Sequence, residues 1–322
     1  ITAQNDSRIG RKTMTYMLDE AREGVKAASL DFSYGQIAPR VATNGGRIAF
    51  VTAVAGAPAA SNTALITKSI GIDNEKVVAR KGDVAPGAGS AKFSAFVSES
   101  LNATDVVFRA TLTGGAPGVT SGVWQSTIGG MVIHHPIALR GQQAAGLTTG
   151  IKFTRFMETF IADGGVILIR AQVAGPGVST ANDVGIWVWS QKKLHLLLRE
   201  GDLVPGGSGA RIGTIQRVDL SGSSHYVVLA SLKGVPVGRN QALLTGGFFH
   251  TLPAYWTPAL VLQKGSLINR PSPTLLKGIG IARNHIDPSG AGTKGQAKQV
   301  GSAGILFTAT YSAGTDLILT HP

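Results

Sequence analysis

The chain has 322 residues, no Cys, and 30 Lys and Arg against 18 Asp and Glu, for a formal charge of +12. Its 43% hydrophobic content excludes a disordered chain, no run approaches the ~18 apolar residues of a membrane-crossing helix, and the lack of Cys excludes disulfides, thiolate metal sites and a Cys nucleophile. Charged residues are only 15%, against ~25% in an ordinary soluble domain, which suits a surface partly covered in an assembly, and the basic balance favours an anionic partner.

The first residue is Ile1, and the polar stretch to Lys12 lacks the apolar core of a signal peptide. A removed signal leaves the same sequence, so this does not argue for the cytoplasm. Tyr16–Leu18 and Ala21–Gly24 then read as a strand ending in a basic residue, an acid and Gly.

From there the chain repeats itself, which decides the architecture. Arg47–Val54 is a strand rich in β-branched and aromatic residues, closed by Gly56. A second strand lies at Ala64–Ile66, and a third at Val77–Arg80 leads into Gly82-Asp83 and Pro86-Gly87. The segment Phe93–Phe96 supplies a fourth. The series returns as Asp105–Leu112, Gly122–Trp124, Ala138–Gly141 and Phe153–Phe156. It comes again as Val166–Val173, Gly185–Trp187, Leu196–Gly206 and Ile212–Ile215. A fourth round reads Tyr226–Leu232, Gly247–Phe249 and Val261–Gly265, and the chain ends with Gly304–Tyr311 and Asp316–Leu319.

Gly24, Gly82, Gly141, Gly201 and Gly265 are spaced by 58, 59, 60 and 64 residues. Four short antiparallel strands per period, without a helical pattern, make the unit of a β-propeller blade. One such sheet cannot bury both faces alone, whereas neighbouring sheets can. The expectation is an all-β, five-bladed propeller spanning 1–322, with one blade shared between the N- and C-termini so that no sheet edge stays open. The fourth repeat carries His250–Trp256 and an elaborated insertion at 266–300, where a special surface belongs.

Asn44–Phe50, the Gly-Val/Ile-Trp triplets and the Arg-x-Gly-Asp-x-x-Pro-Gly segments starting at Arg80 and Arg199 resemble the tandem repeats of exported bacterial proteins. Many members of that group carry C-terminal cell-surface sorting signals and are described as choice-of-anchor proteins. The resemblance covers nearly the whole chain and implies export, to periplasm, cell surface or medium, and a propeller-like fold. It implies no catalytic residues. The Asn is missing from the last two copies, and Gly-Asp-x-x-Pro-Gly is intact only in the first and third complete repeats.

No catalytic, metal or cofactor constellation emerges. Asp83 and Asp202 read as turn formers, since the other copies have Val25, Gln142 and Ser266 in their place. His134 and His135 are adjacent and face opposite sides of a strand. Glycoside hydrolysis needs two placed carboxylates, and Asp163, Asp219 and Asp287 are the only candidates the pattern offers. Ser289–Gly295 has a P-loop's composition without its ordered ending or helix. Trp124 and Trp187 sit at equivalent repeat positions, which assigns them to the core.

Those exclusions leave a non-enzymatic binding or assembly module, docking on a protein complex or an anionic glycan or lipid surface. The alternative is a carbohydrate-binding or glycoside-hydrolase-like propeller. Nucleic acid is disfavoured because Lys and Arg are scattered rather than striped with aromatics. Candidate binding residues are Tyr255, Trp256, Arg270, Arg283, His285, Asp287 and Lys294, where 266–300 carries five cations against one acid.

Overall fold

The structure is a computed structural model that describes residues 8–12, 17–44, 46–207, 209–250, 252–268, 273–281, 300–301 and 304–320. The chain divides into two compact units, the first comprising 1–141 and the second beginning at 142. It is all-β, as its periodicity predicts. Among the described residues the only helices are two 3-10 turns, Val237–Arg239 and Pro253–Trp256.

In the first unit, β1 (Arg8–Lys12) and β2 (Met17–Arg22) form an antiparallel hairpin. A four-stranded meander follows, with β3 (Tyr34–Asn44), β4 (Arg47–Val54), β5 (Thr63–Ser69) and β6 (Lys76–Arg80) paired in chain order. A second meander consists of β7 (Lys92–Leu101), β8 (Asp105–Thr113), β9 (Ser121–Ile128) and β10 (Val132–Leu139).

The second unit repeats the plan. Its sheets are β11 (Lys152–Ile161), β12 (Ile167–Ala174), β13 (Val184–Ser190) and β14 (Lys193–Arg199), then β15 (Arg211–Leu220), β16 (His225–Lys233), β17 (Gln241–Gly247) and β18 (Ala259–Gln263). A small hairpin, β19 (Leu267–Ile268) with β20 (Thr274–Leu275), leads to the last sheet. There β21 (Gly278–Gly280) and β22 (Val300–Gly301) share one edge of β23 (Gly304–Tyr311), and β24 (Gly314–Thr320) takes the other.

Two sequence expectations shift. The segments at Phe93, Phe153 and Ile212 are not fourth strands but the beginnings of long first strands, β7, β11 and β15. In the fourth repeat the third strand is β17, whose Ala242, Leu243 and Leu244 are fully buried, and Gly247–Phe249 lies at and beyond its end. Among the described residues β2 pairs with β1, and no sheet contains strands from both ends of the chain.

The middle strands are apolar on both faces because sheets cover each of them. Phe93, Phe96, Phe108 and Trp124 pack with Ala49, Leu65 and Val78 of the preceding sheet. In the second unit Leu168, Ile186 and Val188 meet Ile212, Tyr226, Val228 and Leu244. Val227, Leu229 and Leu243 then meet Ile279, Ile305, Phe307 and Tyr311. Trp124 and Trp187 are wholly buried, as their repeat positions require. Each indole N–H donates to a turn carbonyl, Trp124 Nε1 to Pro86 at 3.0 Å and Trp187 Nε1 to Ala145 at 2.9 Å, so the polar atom of a buried ring is satisfied.

Candidate functional site: an aromatic ledge on the fourth sheet

The turn after each fourth strand is built from the backbone outward. In the first full repeat, Arg80 N–H donates to Asp83 Oδ2 at 3.2 Å and Arg80 Nε to the Ser61 carbonyl at 2.9 Å. In the third, the Arg199 N–H bond to Asp202 Oδ2 is 2.7 Å and Arg199 Nε reaches the Asn182 carbonyl at 2.5 Å. Asp83 and Asp202 therefore fix turns, as the sequence suggests. Burial pushes the Asp202 carboxyl up, against hydrogen bonding and charge from Arg199.

The fourth sheet departs from this regularity after β17. Phe248 N–H bonds the Ser224 carbonyl at 3.0 Å, and its ring stacks on Tyr226 with centroids 4.9 Å apart. The chain then enters the 3-10 turn with Pro253 at its first position, where a missing N–H costs nothing. That turn drives Trp256 inward. Its ring meets Phe248 edge-on at 5.6 Å and His195 at 5.5 Å, and its Nε1 donates to the His250 carbonyl at 2.7 Å. Tyr226 Oη donates in turn to the Trp256 carbonyl, and burial pushes that phenol up.

This placement corrects the expectation for Trp256. At 3% exposure it is a core plug, not a recognition residue. The indole is too large and apolar to leave in water when the groove between β14 and the end of β17 can take it. Tyr255, by contrast, stands 62% exposed. Beside it the sequence reasoning missed Phe249 and Leu252, at 61% and 60%. The His225 and Phe249 rings lie 4.6 Å apart, and those of His250 and Tyr255 4.7 Å. The result is a ledge of exposed rings backed by imidazoles. Burial lowers the His225 pKa, and Ser223 Oγ lies 3.2 Å from its Nδ1.

Among the described residues, the acids Asp163 and Asp219 are engaged in backbone hydrogen bonds. Asp163 is exposed in the β11–β12 turn, where its N–H bonds the Gly222 carbonyl at 2.9 Å. Asp219 is 2% exposed and its Oδ1 accepts the Leu220 N–H at 2.9 Å, so its carboxylate serves the strand end. Arg270, Arg283, His285, Asp287 and Lys294 lie outside the described residues. His134 turns inward, 2.6 Å from Ser126 Oγ, and burial lowers its pKa, while His135 stands across from Gln125. Among the described residues no group of three His, Asp or Glu could hold a metal ion.

Sequence reasoning also missed the buried ions. Glu158 and Arg170 pair at 3.1 Å across β11 and β12, and Arg170 Nη1 donates to the Ile215 carbonyl at 2.9 Å. On β7, Ser98 and Glu99 are fully buried. Their polar character reads as surface, and only sheet packing reveals otherwise.

One family model matches the chain twice, over residues 2–133 and 122–245. The chain belongs to a family of unknown function, DUF7453. The double match agrees with the internal repeat. No match was found among curated proteins. Solved structures with some likeness include a prolyl endopeptidase at 11% identity and TM-score 0.37, covering 88% of this chain and 42% of that one. The AtxE2 isopeptidase gives 10% identity, TM-score 0.32 and coverages of 88% and 50%. An exo-1,5-alpha-L-arabinanase from a bovine ruminal metagenomic library gives 10%, 0.27, and 91% and 99%. The chain thus spans about half or less of the first two proteins. At such scores these likenesses carry no weight for activity.

Proposed function

We propose that this DUF7453 chain is an exported, non-catalytic binding module that docks on an acidic protein partner through the ledge of Phe249, Leu252 and Tyr255. The observation that carries the reading is that three large hydrophobic side chains stand more than half exposed within seven residues, on a segment the repeat does not require. Interface anchors are typically aromatic side chains on a rigid base, and buried Trp256 supplies that base. A net charge of +12 adds attraction for an acidic surface. The resemblance of the repeats to those of exported proteins supports the location.

For the framework we propose a five-bladed propeller in which β2 has the place of a fourth blade strand. The support is a shared turn. Gly24 N–H bonds the Tyr34 carbonyl at 2.8 Å, as Gly82 does Phe93, Gly201 does Ile212 and Gly265 does Leu276, all at 2.8 Å. So β2 ends like the fourth strand of a sheet. A crystal structure with any other blade number overturns this arrangement.

A photo-crosslinking residue placed at Tyr255 tests the docking reading in the native host. An acidic protein adduct that disappears in Phe249→Ser/Leu252→Ser supports it. The same rings also suit the apolar faces of sugars, which is the second reading. Binding to a glycan that Tyr255→Ala abolishes, with no protein adduct, decides for that alternative.

A further inference from the structure

In the second unit, one end of the sheets displays aliphatic side chains singly between cations. Leu203, 57% exposed, faces Arg211 across an antiparallel bridge in the turn from β14 to β15, which puts both side chains on one face. Arg211 is in turn opposite Lys233 in the β15–β16 register. From Lys233 the chain enters a loop with Val237, 75% exposed, and Arg239. Gly238 of that loop packs against Gly265, where the next turn begins, and this turn carries Leu267 at 68% exposure. Arg211, Lys233 and Arg239 are themselves exposed.

Acids at this end are turned to other work. Asp202 caps the Arg199 N–H, and Asp183 accepts the Gln172 amide at 2.6 Å. The same pairing occurs at the corresponding bridge of the first unit, between Val84, also 57% exposed, and exposed Lys92, whereas the copy between them pairs Gln143 with Lys152.

Aliphatic tips set singly among cations do not make the contiguous hydrophobic centre of a protein interface. A lipid surface accepts each tip separately among its headgroups, while nearby cations meet anionic lipid. We propose that this end of the second unit docks peripherally on an anionic lipid surface, with Leu203, Val237 and Leu267 inserting and Arg211, Lys233 and Arg239 holding the headgroups. This surface is distinct from the aromatic ledge and stands without it.

Co-sedimentation with vesicles of phosphatidylcholine, alone or with phosphatidylserine, tests the assignment. Binding is expected only with phosphatidylserine, and to weaken as added salt shortens the screening length below roughly 8–10 Å. Each neutralised cation is expected to weaken partitioning roughly fivefold, so R211Q/K233Q/R239Q should nearly abolish it. L203S/V237S/L267S should lose binding while keeping the wild-type circular dichroism and melting curve, and Phe249→Ser/Leu252→Ser should bind vesicles normally. Equal binding to both vesicle types, or unchanged binding by both triple variants, overturns the proposal. So does loss confined to a soluble polyanion such as heparin, which assigns the cations to a different ligand.

Discussion

Lys68 Nζ stands 3.1 Å from the Glu75 carboxylate, and both side chains are almost sealed from water, at 4% and 3% exposure. The same ammonium lies 3.6 Å from the Glu20 carboxylate and donates to the Glu20 carbonyl at 3.0 Å. Glu20 Oε2 also accepts the Gly71 N–H at 2.9 Å. One buried cation on β5 thus ties β2 to the segment after β5. Removing it leaves carboxylates facing one another in a low-dielectric site. Lys68→Met is therefore expected to cost about 3–5 kcal/mol, the usual penalty for stripping one partner from a buried pair. Urea unfolding measures it, and a loss below ~1 kcal/mol would mean water reaches the cluster.

Acid should weaken the same cluster. Burial alone would raise the Glu75 carboxyl, but its own backbone N–H, the Lys68 ammonium and the Ser29 N–H together hold it below its ordinary value of 4.5. A carboxyl depressed in the folded state contributes stability above its unfolded pKa and loses it as pH falls through the folded one. The stability gap between wild type and Glu75→Gln should be full at neutral pH and close progressively below 4.5. Parallel denaturation curves across that range provide the check, and a gap independent of pH would remove Glu75 from the account. Tyr34 does not confuse the titration, because burial and the Glu75 charge keep its phenol protonated throughout.

Two equivalent glycines should respond differently to a methyl group. Gly24 and Gly82 both adopt the left-handed region, at φ of 81° and 92°. A Cβ on Gly24 meets nothing within 4 Å, whereas on Gly82 it comes within 2.7 Å of the Ala60 carbonyl oxygen. Gly24→Ala should cost only the backbone strain, about 1–2 kcal/mol. Gly82→Ala should cost measurably more, because the Ala60 turn must also move. Thermal melts of the two variants side by side decide this, and equal losses would show that the turn yields freely.

Those glycines explain why so much of the fold is legible in the sequence. A positive φ at one place per repeat demands Gly, so Gly24, Gly82, Gly141, Gly201 and Gly265 mark the period whatever happens to the residues between them. The buried second strands are legible because sheets cover both faces and leave room for little but apolar residues. The first strands are harder to read, since bulges at Phe93/Ala95 and Phe96/Ser98 break the alternation. Lys68 and Glu20 are 48 residues apart and look like ordinary surface ions until the hairpin is packed. The ledge hid for a related reason. His250–Trp256 advertises two adjacent aromatics, and nothing in their order says which one faces in.

That distinction within one 3-10 turn can be measured directly. Trp256 is 3% exposed and packs on Phe248 and His195, whereas Tyr255 next to it is 62% exposed and touches His250. Trp256→Ala opens a cavity in the second unit and also loses the indole bond to the His250 carbonyl, so a penalty of about 3–5 kcal/mol is expected. Tyr255→Ala removes an exposed ring and should change stability by no more than ~0.5 kcal/mol. Partner binding should show the reverse sensitivity, provided it is measured well below the melting point of the Trp256 variant. Tyr255→Ala should then lose affinity while the protein remains fully folded. If Tyr255→Ala instead destabilises the protein as much as Trp256→Ala does, the ring belongs to the core and the ledge is not a docking surface.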